Sequence, residues 1–325
     1  MKAARDCKCE ISDLRFRISD RKSEIANLKS RLPFILHPLS FILLLLVGLL
    51  ALSGASCPRM FTRETPPPRV LPPGATLEQV IQAVHQHSAQ IQSYVAQSAW
   101  LSGPGWPTLH ASIAFQRPLF FRLRAGMGLT GAEMDLGSND QFFWYWVRRD
   151  QPPAVYFCRH EQFATSRARQ ALPIDPYWLM DALGVADFDP ALPHQGPFPA
   201  PGGRLEIRTI RETPEGPATK ITRVDAGTAL VMEQYVYDAT GRSLASALAE
   251  GYRRDPLSGL YMPSAVRISC PPAQFSMRIE LGNVEINRGG AAPAELWSMP
   301  SYPGSPPVDL GGGYANPPAA ATPGR

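Results

Sequence analysis

The sequence predicts an α+β domain that is mainly β, with one leading amphipathic helix and a long meander of antiparallel strands. Three observations carry this expectation. Apolar residues recur at helical spacing over one long stretch, from Leu77 to Val95. From Tyr94 onward the apolar period falls to two. Turn signals rich in Gly, Pro, Asn and Asp then punctuate the chain at short intervals as far as Asn287.

The stretch ahead of the domain reads as an export signal. Lys29 and Arg31 precede an apolar run from Phe41 to Leu52, which ends in Ser53-Gly54-Ala55-Ser56-Cys57. Basic, apolar and then small residues is the order of a secretory signal spanning 33–57. The apolar run is too short to cross a ~30 Å hydrocarbon layer comfortably. Its end resembles a bacterial lipobox, in which a peptidase cuts before a cysteine that is then lipidated. Ala55 and Ser56 fit that pattern, and Gly54 stands where leucine is usual. Cys57 is thus the candidate lipid-attachment site, with an ordinary signal peptide as the alternative. Residues 1–32 carry Ile11, Ile18, Ile25 and Leu32 at seven-residue spacing, with Arg21 interrupting. They read as translated upstream sequence or as a long cytoplasmic extension, and are set outside the fold. Residues 58–74 are Pro-rich and read as an extended tether.

Thr76-Leu77-Glu78-Gln79 is a capping-box pattern and opens a helix predicted over 76–93. Strands are expected at 94–101, 109–116, 119–125, 132–136, 141–147 and 155–158. In the fifth of these, Phe142, Trp144 and Trp146 fall on one face and Phe143, Tyr145 and Val147 on the other. A strand apolar on both faces is buried on both sides, or lines an apolar cavity on one. Asp175-Pro176 opens a short helix through Gly184, apolar nearly all round and so expected to be buried or to plug something. Residues 186–203 read as a Pro/Gly-rich insert. Strands are then expected at 204–211, 218–225, 229–238, 243–253, 260–269 and 274–286. Residues 289–325 read as a disordered Gly/Ala/Pro tail, and the domain proper as 75–288.

Composition excludes some functions. A net charge of +4 over 325 residues, without clustered basic residues in the domain, does not suggest nucleic-acid binding. No GxSxG, HExxH or phosphate-binding loop is present, and His160-Glu161 lacks a second histidine. His85 and His87 face different sides of a helix, which is poor metal geometry. Asp135 and Asp140 flank a predicted hairpin turn, where hydrogen bonding to the turn is the ordinary role. No metal, cofactor or catalytic residue is assigned. Cys158 and Cys270 are the one cysteine pair within the domain, and either a disulfide or two buried thiols fits them.

The domain carries many large apolar side chains at strand spacing: Trp100, Phe115, Phe121, Leu123, Met134, Phe142, Trp144, Trp146, Met232 and Met277. They would form an ordinary core, or line an apolar concavity for an acyl chain, where each buried CH₂ gains ~0.8 kcal/mol.

Over roughly 76–288 the order of elements resembles the LolA/LolB superfamily of bacterial lipoprotein carriers and receptors. The likeness rests on the leading helix and on the strand segment Phe115-Gln116-Arg117-Pro118-Leu119-Phe120-Phe121-Arg122. It rests also on Gly131 to Gly137, on Phe142-Phe143-Trp144-Tyr145-Trp146, on a helical insert before the closing meander, and on Val284-Glu285-Ile286-Asn287 near its end. Arg117 sits where carriers of the family often have a strand arginine. The resemblance implies an incomplete antiparallel barrel covered by helices, with an apolar cavity that binds a lipid or acylated lipoprotein and performs no catalysis. It implies a monomer in the periplasm-facing envelope, here held to a membrane through Cys57. A lipid-anchored binder is the first expectation. A scaffold with a filled core is the second, and a secreted enzyme without a recognisable motif the third.

Overall fold

The structure is a computed structural model that describes residues 65–312, apart from 129, 167, 169–175, 214 and 289–291. The export signal, Cys57, the Asp175 cap and the last part of the tail lie outside the described residues.

Helix α1 spans Leu77–Ala89. Its capping box forms as the sequence predicts: Thr76 Oγ accepts from the Gln79 amide, and the Gln79 side chain accepts from the Thr76 amide. The helix buries Val80 and Val84 against Leu71, Phe188, Ile207 and Val224. It ends at Ala89 rather than near 93, because distant side chains claim the next backbone groups. Asn287 accepts from the Gln92 and Ser93 amides and donates to the Gln90 carbonyl. Arg117 donates to the Ser88 and Ile91 carbonyls, satisfying groups left open at a helix C-terminus.

The first meander is β1 (Ser93–Gly103), β2 (Trp106–Gln116), β3 (Phe120–Met127), β4 (Gly131–Ser138), β5 (Phe142–Val147) and β6 (Val155–Arg159). A 3₁₀ turn at His160–Thr165 follows it. The second is β7 (His194–Ala200), β8 (Arg204–Arg211), β9 (Ala218–Asp225), β10 (Val231–Tyr237), β11 (Ser243–Arg254), β12 (Tyr261–Cys270) and β13 (Phe275–Glu280). Pairing of β1 with β13 joins the two meanders into one curved, unclosed sheet. Short β14 (Val284–Ile286) also pairs with β1, and β15 (Pro307–Asp309) adds in parallel beside β6. The strand expected over 274–286 is thus two strands, β13 and β14.

Three segments expected outside the packed fold are held in it. At the end of the expected tether Leu71 is buried, and the Val70 and Leu71 amides donate to the Gly227 carbonyl. The 186–203 insert contributes β7, an edge strand paired with β8. Its prolines are tolerated because an edge strand can leave backbone groups unpaired. Residues 292–312, expected within a disordered tail, carry a 3₁₀ turn (Ala294–Trp297) and β15.

The short internal helix α2 (Pro176–Met180) continues as a wide π-turn over Asp181–Val185. Gly184 lies in this turn at φ 109°, and a Cβ there would stand 2.8 Å from Pro263 Cδ. Glycine alone lets the turn rest this closely on β12. Across β8–β10, Glu206 accepts from Arg208 and Arg223, and Glu233 accepts from Arg204, Arg223 and Tyr235.

Candidate functional site

The apolar residues singled out in the sequence do not converge on one cavity. Phe115, Phe121, Leu123 and Met277 are buried on one face of the sheet, with Met134 packed beside them. This inner face meets Trp178, Leu179, Met180, Ala182, Leu183 and Val185 of α2 and its π-turn. Phe142, Trp144 and Trp146 belong to a second cluster on the outer face, with Val155 and Phe157. Trp100 alternates with buried Ala99 and Leu101, is 46% exposed, and meets only the edge of His110 among the described aromatic rings. Met232 is half-buried and belongs to neither cluster.

Among the described residues the inner face is covered, its side chains packed with those of residues 176–185. Residues 176–185 fill it as a plug, apolar nearly all round. A cavity beside the plug, reached by His87, Ser88, Gly184 and Tyr252, measures about 10 Å³. That is room for roughly one water, against the several hundred Å³ of a typical ligand site. Burial pushes the His87 imidazole below its ordinary value, against a hydrogen bond to the Tyr261 backbone that raises it. Asp181 pairs with Lys220 of β9. The Trp178 indole N–H is buried and meets no acceptor among the described residues. Such a group forfeits about 1–3 kcal/mol relative to a satisfied one.

β5 is buried from both sides, as its doubly apolar pattern suggests. Phe143 packs with Cys158, Ala168 and Phe163 on one side. On the other, Trp144 and Trp146 lie beneath Met299 and Tyr302 of the C-terminal segment. Asp135 is not a turn residue. It stands inside β4, side chain 0% exposed, and takes two bonds from Arg122 at 2.9 and 2.7 Å. Tyr302 donates to the same carboxylate at 2.7 Å and the Trp144 indole at 3.4 Å. This group was invisible in the sequence, since two of its members lie 167 positions apart.

The remaining candidates carry no assembled chemistry. Cys158 and Cys270 are both free thiols, not a disulfide. They lie on β6 and β12, with six strands between them in the sheet. Burial pushes the Cys270 thiol up to about 12 and raises Cys158 as well, so both stay protonated and unreactive. His160 Nε2 is 2.9 Å from the Asn139 carbonyl and 3.3 Å from the buried Ser138 hydroxyl. A ring nitrogen donating to a carbonyl is not a base for that serine. Among the described residues no group of three His, Cys, Asp or Glu side chains could hold a metal, and no helix is long and apolar enough to cross a membrane.

The described residues therefore form one open sheet, antiparallel except at β15, whose inner face holds an apolar helical plug and whose outer face is strapped by the C-terminal segment. Solved structures similar to it include a DUF1329 family protein from Desulfovibrio piger, 12% identical with a TM-score of 0.45, covering 65% of this chain and 95% of that one. A putative outer membrane lipoprotein-sorting protein domain from Vibrio parahaemolyticus is 10% identical with a TM-score of 0.46 over 66% and 95% of the two chains. A LolA superfamily protein from Nitrosomonas europaea is 9% identical with a TM-score of 0.43 over 67% and 97%. No protein-family model matches the sequence, and no curated protein matches it.

Proposed function

We propose that this is a non-catalytic envelope protein that takes up an acyl chain, from a lipid or an acylated protein, on the inner face of its sheet. The chain occupies the place that residues 176–185 fill. The observation that carries this reading is the plug itself: it is apolar nearly all round, covers the inner face of the sheet, and buries an indole N–H that meets no acceptor among the described residues. The energies of exchange are comparable. An acyl chain of about 14 carbons gains ~11 kcal/mol on burial. The five larger buried plug side chains, at about 1.5–3 kcal/mol each, with ~0.8 kcal/mol for Ala182, hold roughly 8–16 kcal/mol. A ligand with two chains, or one with added headgroup contacts, wins that competition. Export and anchoring through the lipobox-like end at Cys57 would place the domain beside its ligand.

Two plug variants separate the outcomes. Asp181→Ala removes the Lys220 pair and should tighten uptake of a fluorescent fatty acid. Trp178→Phe removes the unpartnered N–H while keeping most of the packing, and should weaken uptake by a few fold. No uptake by the parent chain or either variant, and no lipid in a mass spectrum of the purified protein, would sink the proposal. The second reading, an envelope scaffold with a filled core, is favoured by the packed inner face and would then stand. Incorporation of labelled palmitate that vanishes in Cys57→Ala tests the anchor.

A further inference from the structure

Residues 293–310 bind the rest of the molecule in the manner of a peptide ligand. Arg122 Nη1 donates to the Leu296 and Ser298 carbonyls at 3.0 and 2.9 Å. Tyr302 stacks on Trp146 at 3.7 Å between ring centres, with its hydroxyl on Asp135. The Trp146 indole donates to Ser305 Oγ at 3.0 Å. Pro307–Asp309 then adds as a parallel strand at the β6 edge, which is how extended peptides join an exposed sheet edge. Strands β1–β14 all pair without this segment, so it can leave without breaking any other strand pairing. What it would uncover is an aromatic patch of Phe142, Trp144, Trp146 and Phe157 around a buried ion pair. Such a patch calls for an occupant.

We propose that the outer face of β3–β6 is a docking site for an extended peptide with a tyrosine anchor, filled in cis by residues 293–310, and that the same segment of a second copy of this chain can fill it in trans. The segment supplies each feature the site reads: two carbonyls spaced for Arg122, a tyrosine between Pro300 and Pro303, a serine for Trp146, and a short strand for the β6 edge. The site lies on the opposite face from the plug, so it does not depend on lipid uptake.

The test uses the full chain with a protease site inserted between Gly290 and Ala291. After folding and cleavage, a labelled synthetic peptide of residues 292–312 stands in for the second copy's segment. It should displace the cut segment and co-elute with the protein. The Tyr302→Phe peptide should bind roughly tenfold more weakly, the size expected for a lost hydrogen bond to a charged group. The uncut chain should capture far less peptide, because its tethered segment competes at about millimolar effective concentration. The Leu310 amide donates to the Phe157 carbonyl across the β15–β6 edge, and in the intact chain its exchange should outpace that of the β4 and β5 amides. Retention of the cut segment until global unfolding, equal capture by cut and uncut chains, or exchange at Leu310 as slow as in β4 and β5 would overturn the proposal.

Discussion

Replacing Asp135 with asparagine tests the outer-face packing most sharply. The carboxylate is fully buried, Arg122 is 7% exposed on its side chain, and their two bonds are short. Asparagine keeps the shape but offers one acceptor oxygen to three donors: the Arg122 fork, the Tyr302 hydroxyl and the Trp144 indole. It also leaves the guanidinium charge uncompensated in a site closed to water. Breaking a buried pair from one side costs about 3–5 kcal/mol. For a domain of this size, each kcal/mol moves Tm by roughly 2–4 °C, so Asp135→Asn should lower Tm by about 6–20 °C. Urea unfolding followed by tryptophan fluorescence reads the loss directly, with a change in midpoint and little change in slope. The double variant Arg122→Met with Asp135→Leu removes both charges but leaves the Leu296 and Ser298 carbonyls, the Tyr302 hydroxyl and the Trp144 indole without these partners, so it should recover only the part of the loss due to the uncompensated charge. A penalty below about 1 kcal/mol for Asp135→Asn would refute the reading of this pair as a desolvated anchor.

Three further outcomes follow from the same geometry. Gly184→Ala places a side chain at φ 109° and 2.8 Å from Pro263, and should destabilise by about 1–3 kcal/mol in chemical denaturation. Asn287→Ala removes the side chain that holds residues 90–93 and leaves alanine at φ 53°, so it should cost about 2–3 kcal/mol, with fraying of α1 seen by hydrogen exchange. For acid stability the sign is set by Glu206 and Glu233. Burial alone would raise both carboxyls, but hydrogen bonds from Arg208 and Arg223 to Glu206, and from Arg223 and Tyr235 to Glu233, hold them below the ordinary value. Their stabilisation is therefore present above the ordinary glutamate value of 4.5 and is lost as pH falls from there through the folded values. Glu233→Gln should flatten the acid limb of a stability-versus-pH curve, and an unchanged limb would remove this pair from the account.

Much of the sheet was legible in the sequence because period-two alternation and turn chemistry are local. The capping box at Thr76 and the two-sided burial of Phe142 to Val147 follow from nearest neighbours alone. What local pattern cannot supply is register. Alternation says that Trp144 and Phe143 point to opposite faces, but not that Trp144 shares the face of Arg122 and that Phe121 lies on the other. That is why the large apolar residues, read from the sequence as one core or one cavity lining, divide between two faces of the sheet. The cover over Trp144 and Trp146 was missed because Pro and Gly dominate residues 289–312 and hide Trp297, Met299 and Tyr302 in what reads as a tail. The end of α1 is set by Asn287, nearly 200 positions away in sequence.

The account turns on whether the plug can give way to an acyl chain. Cysteines introduced by Asp181→Cys and Lys220→Cys, in a chain whose five natural cysteines are replaced by serine, allow a reducible crosslinker to pin the plug to β9. Saturable binding of a fluorescent fatty acid should be absent in the crosslinked protein and should return on reduction. Equal binding in the pinned and released states, or none in either, would contradict it.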